Sequence, residues 1–224
     1  MISFSKITLI LNCLILIIVF PLVSAIFRQA ARIVFGEELI QTYPFLGGLT
    51  SYMIILFLLV FYLYATLEPL RNYGFLYSKK LLMTSTAIGV IAAVVLYMVD
   101  KEAGAYQALG VPASPSVIAV IGFLVFWAII GPLVEEVLFR GIIQTTFSKH
   151  FSGDVIPIVA TVTLEVIMHM GVLGGGVSSY AMLGYVAVFS TAASIVYART
   201  KSLLGPFLIH ALGNGGELIL YWLL

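Results

Sequence analysis

The sequence predicts an all-α fold, a polytopic bundle of transmembrane helices, and two observations carry that expectation. Of 224 residues, 62% are hydrophobic and only 9% are charged, whereas a soluble domain has about a quarter charged residues. So few charges cannot cover a globule in water, which excludes a cytosolic enzyme, a secreted disulfide scaffold and a disordered tail. The apolar residues also gather into runs of about 20, the length that crosses the roughly 30 Å hydrocarbon core of a bilayer as a helix.

Seven runs are expected to span: Ile7 to Phe27, Leu46 to Leu67, Leu81 to Val99, Val117 to Leu138, Val155 to Leu173, Ser179 to Ala198, and Leu203 to Leu224. The connectors are short and polar, without repeats or low-complexity tracts, so residues 1–224 read as one integral-membrane domain. Val23-Ser24-Ala25 loosely resembles a signal cleavage site, but the length of the first run and the six spans after it favour an uncleaved helix. Seven spans put Lys6, Arg71, Lys79, Lys80, Arg140, Lys149, Arg199 and Lys201 on one side, and Arg28, Arg32 and Lys101 on the other. The positive-inside rule then places the N-terminus in the cytoplasm.

The net charge is +1 with no basic run, so the lipid bilayer is a partner and nucleic acid is not. The single Cys13 can form neither an internal disulfide nor a thiolate metal site, and reads as lipid-facing or packing. Tyr52, Tyr77 and Trp222 lie towards span ends and read as interface anchors. Glu37 and Glu38 read as a solvated loop, and His150 as an interfacial connector residue.

Ionisable groups inside apolar spans are costly and functional by default. Here they form three i,i+4 pairs: Glu136 with Arg140 in GPLVEEVLFRG, Glu165 with His169 in LEVIMHMG, and His210 with Asn214 in LLGPFLIHALGN. Each pair shares one helix face, and Glu217 continues the face of His210. Burying three polar stripes against one another keeps them from lipid and implies an internal chamber walled by the fourth, fifth and seventh spans. His169 lies roughly 20 Å and His210 roughly 10 Å from the inner ends of their helices. For Glu135 to reach that depth, the fourth helix must continue through FRGIIQTTFSK to about Lys149. Pro132, which lacks a backbone N–H, is expected to kink it.

These groups suit peptide hydrolysis. Arg140 one turn after Glu136 offers a neutralising pair, which leaves Glu135 facing the chamber as a desolvated carboxylate able to take a proton from water. His169 is placed to share that proton or orient the water. His210 and Asn214 present N–H donors on one face, suited to the oxyanion of a tetrahedral intermediate.

The ordered set EExxxR, an apolar helix ending in His, and HxxxN resembles the CAAX prenyl protease and bacteriocin-processing (CPBP, Abi) family of intramembrane endopeptidases. The resemblance covers about residues 117–218. It implies a membrane protease with Glu135, Glu136 and Arg140 on the first motif, His169 on the second, and His210 and Asn214 on the third. It also implies a peptide or protein substrate at the membrane, in CAAX-type processing, bacteriocin or signalling-peptide maturation, or self-immunity, and the short chain favours a bacterial cell membrane. One position departs: the second motif usually reads Phe-x-x-x-His, and Glu165 replaces the Phe. Glu165 is expected to orient His169 from behind, with Glu217 similarly behind His210. No cofactor is expected, although Glu135, Glu165, His169 and His210 could supply zinc with four ligands. Two other readings stand beside the protease: a non-catalytic scaffold or immunity protein of the same fold, and a proton- or ion-coupled transporter.

Overall fold

A computed structural model describes residues 4–65, 74, 77–103, 111–173 and 177–224. Every regular element among the described residues is a helix, with no strand among them. The helices are α1 (Phe4–Phe35), α2 (Glu37–Thr42), α3 (Phe45–Ala65), α4 (Lys79–Ala103), α5 (Val117–His150), α6 (Val155–Leu173), α7 (Val177–Thr200) and α8 (Leu204–Leu223). Five of them, α1, α3, α4, α5 and α7, are long and apolar enough to cross a membrane. The chain is an integral membrane protein. The other two expected spans are α6 and α8, and these carry the Glu165/His169 and His210/Asn214 pairs. Leu67 and Arg71 lie outside the described residues. Glu37 and Glu38 open the short exposed helix α2 rather than a loop, and Glu37 lies 3.8 Å from Arg32 of α1.

The central element is α5. Ser116 caps it, its hydroxyl accepting from the Ala119 N–H at 3.2 Å, which satisfies one of the orphan donors of the first turn. The helix continues to His150, as the depth of the carboxylates required. It is not uniform, however. Val125–Ile130 and Val137–Gln144 are π-helical, and the α-helical turn Gly131–Glu136 lies between them. The first π segment ends where Gly131 N–H bonds Phe126 O, directly before Pro132. Proline has no N–H to continue the ladder and its ring crowds the preceding turn, so a widened turn is the local solution.

Around α5 the bundle closes on Val134, Leu138, Phe139 and Ile143, all at most 1% exposed. Cys13 of α1 packs into this core, which settles it as a packing residue. Contacts of Phe45 with Gly122 and of Tyr52 with Phe126 make α3 run parallel to α5. Those of Gly215 with Ala128 and Trp222 with Phe123 make α8 antiparallel to it. Against α4, α8 packs almost backbone to backbone: a Cβ on Gly89 would lie 2.8 Å from Leu212 Cβ, and one on Gly216 2.7 Å from Ala93 Cβ. Small residues permit this approach where no hydrophobic effect drives helices together.

Candidate active site

Two of the three motif helices, α5 and α6, meet at Arg140. This guanidinium is fully buried, and a buried charge persists only where partners satisfy it. Its Nη1 donates to Glu136 Oε1 at 3.1 Å and to Glu165 Oε1 at 3.2 Å. Its Nη2 lies 2.9 Å from Glu165 Oε2 and donates to both the carbonyl and the hydroxyl oxygen of Ser190, each at 3.0 Å. Ser190 in turn donates to Glu165 Oε2 at 2.5 Å. One cation thus ties α5, α6 and α7 together. The seam continues down α7, where Gln144 Nε2 donates to the Ser194 carbonyl at 3.0 Å and Thr145 bonds Tyr197 at 2.6 Å.

Glu136 links this network to α8. His210 Nδ1 lies 2.9 Å from Glu136 Oε1, and because a carboxylate only accepts, Nδ1 carries the proton. The opposite ring nitrogen, Nε2, lies 3.8 Å from Glu135 Oε2. Adjacent carboxylates on α5 therefore flank one imidazole, whose ring also meets Phe189 edge-on at 4.8 Å. Glu136 borders a cavity of about 310 Å3 whose other walls are Tyr77, Leu133, Val137, Leu203, Leu204 and Phe207.

Several sequence expectations are redrawn by this geometry. Glu136 and Arg140 pair as expected, and Glu135 is left towards the site. Glu135 has a partner of its own, though: Tyr52 of α3 donates to its Oε1 at 2.9 Å. Tyr52 is therefore not an interface anchor. Glu165 does not orient His169 through its carboxylate, which Arg140 and Ser190 occupy; its backbone carbonyl accepts from His169 Nδ1 at 2.9 Å instead. A His side chain can reach back to the carbonyl four residues earlier, so local geometry satisfies it first. That leaves Nε2 of His169 as the nitrogen with a lone pair. No hydrogen bond or ion pair joins His169 or Asn214 to Glu135, Glu136 or His210 among the described residues. Glu217 is buried on α8.

Glu135, Glu165, His169 and His210 do not fit as a zinc set. Both oxygens of Glu165 are engaged by Arg140 and Ser190. Among the described residues, no group of three or more His, Cys, Asp or Glu side chains is placed to hold a metal ion.

Residues 117–216 match the family model for the type II CAAX prenyl endopeptidase Rce1-like proteins. This segment resembles the Rce1-like family. It is the part of the chain that the motif resemblance singled out, and it contains Glu135, Glu136, Arg140, Glu165, His169, His210 and Asn214. No curated protein and no solved structure matches the chain. Tyr52, which completes the environment of Glu135, comes from outside the Rce1-like segment. Its place six residues into the Leu46 to Leu67 run, towards the end expected of an interface anchor, gave no sequence signal of that contact.

Proposed function

We propose that this chain is an intramembrane endopeptidase that hydrolyses a peptide bond of a membrane-associated peptide or protein with water activated by Glu135. The observation that carries the proposal is the imidazole of His210 held between two carboxylates inside an Rce1-like segment. Glu136, with Arg140 on one side and His210 on the other, fixes the ring with its Nδ1–H spent. Nε2 is then the working nitrogen, accepting a hydrogen bond from water while the ring is neutral. A water bonded at about 2.8 Å to both Glu135 Oε2 and His210 Nε2 fits beside a pair 3.8 Å apart.

In the proposed reaction Glu135 removes a proton from that water as its oxygen attacks the carbonyl carbon. The carbonyl π pair moves onto oxygen, where Asn214, one turn beyond His210, supplies an N–H donor. Collapse of the intermediate breaks the C–N bond, and Glu135 returns its proton to the leaving amine. His169 offers Nε2 as a second group to orient water or leaving amine. The apolar cavity beside Glu136 is large enough to take an apolar part of the substrate. Seven crossings with a cytoplasmic N-terminus, in a bacterial cell membrane, complete the proposal.

The test uses protein reconstituted in liposomes with a fluorogenic peptide bearing a farnesylated Cys followed by three residues. The parent is expected to release the tripeptide, and Glu135→Gln and His210→Ala to lose that activity. Cleavage by Glu135→Gln at the parent's rate would sink the mechanism. A parent that cleaves no peptide, while its variants lose partner binding or immunity, would instead favour a scaffold.

A further inference from the structure

We infer that Tyr52 is a positioning residue for Glu135, so that α3 contributes to the active site although it lies outside the Rce1-like segment. The inference rests on the reading of Glu135 as the base. Three observations support it.

First, the Tyr52 hydroxyl donates to Glu135 Oε1 at 2.9 Å, while Oε2 faces His210 Nε2. One carboxylate oxygen is committed and the other is aimed. Hydrogen bonds to a charged acceptor are about twice as strong as neutral ones. The bond therefore selects one rotation of the carboxylate over those that would turn Oε2 away.

Second, the phenol is itself fixed. Its ring meets Phe20 of α1 edge-on at 5.5 Å and 88°, and Phe126 of α5 edge-on at 5.4 Å and 90°. Two perpendicular contacts restrain the ring in both its torsions, which makes the hydroxyl a preorganised donor rather than one ordered by the substrate.

Third, the backbone makes room for this contact. Gly48, one turn before Tyr52, receives the Phe126 ring so closely that a Cβ there would lie 2.4 Å from it. Phe126 belongs to the π turn that precedes Pro132. The close approach of α3, the widened turn and the tyrosine thus form one unit beside Glu135.

The test is Tyr52→Phe in the reconstituted full chain, which keeps both ring contacts and removes only the hydroxyl. With the farnesylated peptide, kcat is expected to fall about 10- to 100-fold at unchanged KM, the loss of one charge-assisted hydrogen bond. A spectroscopic measurement separates positioning from packing. The infrared carboxylate stretch of Glu135, identified by its disappearance in Glu135→Gln, should shift in Tyr52→Phe. A variant with kcat within twofold of the parent, or a lowered kcat with an unmoved carboxylate band, overturns the inference. Full activity in Glu135→Gln would remove the proposed mechanism and, with it, the role assigned to Tyr52. An inactive Glu135→Gln beside a fully active Tyr52→Phe would remove the inference alone.

Discussion

Arg140 allows the sharpest test of how the bundle is held. Its guanidinium is inaccessible and satisfies Glu136, Glu165 and Ser190 on three helices. Arg140→Met keeps much of the side-chain volume and strands two buried carboxylates. Breaking a buried pair from one side costs about 3–5 kcal/mol, because the partner left behind is uncompensated. Glu165 bears most of that cost, since Glu136 retains His210 at 2.9 Å whereas Glu165 keeps, among the described residues, only Ser190. Removing the stranded charge in Arg140→Met/Glu165→Gln should then restore about 1–3 kcal/mol relative to the single variant, the range of coupling expected for residues in one network. The assay is reversible unfolding in mixed micelles with increasing denaturing detergent, followed by circular dichroism. A single variant destabilised by less than about 1 kcal/mol, or a double variant no more stable than the single, would refute the argument that Arg140 neutralises Glu165.

Other outcomes follow from the same geometry. Asn214→Ala should lower kcat about 100- to 1,000-fold with little change in KM, as expected for an oxyanion donor; a change confined to KM would assign Asn214 to binding. Ser190→Ala removes a hydroxyl that both donates to Glu165 and accepts from Arg140, and should cost about 1–3 kcal/mol in the unfolding assay. Gly216→Val forces a side chain into Ala93 and should cost about 1–3 kcal/mol by overpacking, whereas a change at exposed Ile219 should be neutral. Purified, active protein should hold less than stoichiometric zinc by elemental analysis and resist chelators; stoichiometric zinc with chelator-sensitive, zinc-restored activity would reverse that expectation.

Much of the site was legible because a membrane makes polar residues conspicuous. The i,i+4 spacing put Glu136 with Arg140, and the depth of His169 required α5 to extend past Leu138, where the structure carries it to His150 although the imidazole beside Glu135 is that of His210. Contacts between distant helices were less legible. Nothing local to Glu165 says that its carboxylate crosses to Arg140 while its carbonyl serves His169, since the first depends on how α5 and α6 pack. The two π segments were equally hidden, because Pro132 announces a disturbance without saying which hydrogen-bond pattern absorbs it. Tyr52 was assigned to the interface because aromatic residues usually gather there. Only the placement of α3 beside α5 shows its hydroxyl reaching a carboxylate.

The glycine-lined seam between α4 and α8 bears on how a substrate arrives. Helices separated by side chains can part by rotamer changes, each of small cost. Where Gly89 and Gly216 bring the main chains together, there is little side chain to rearrange, and parting the helices forfeits the whole contact at once. The pair therefore behaves as a fixed wall from which His210 reaches Glu136. In the proposed reaction a substrate would reach Glu135 by another side, while His210 on α8 keeps its place.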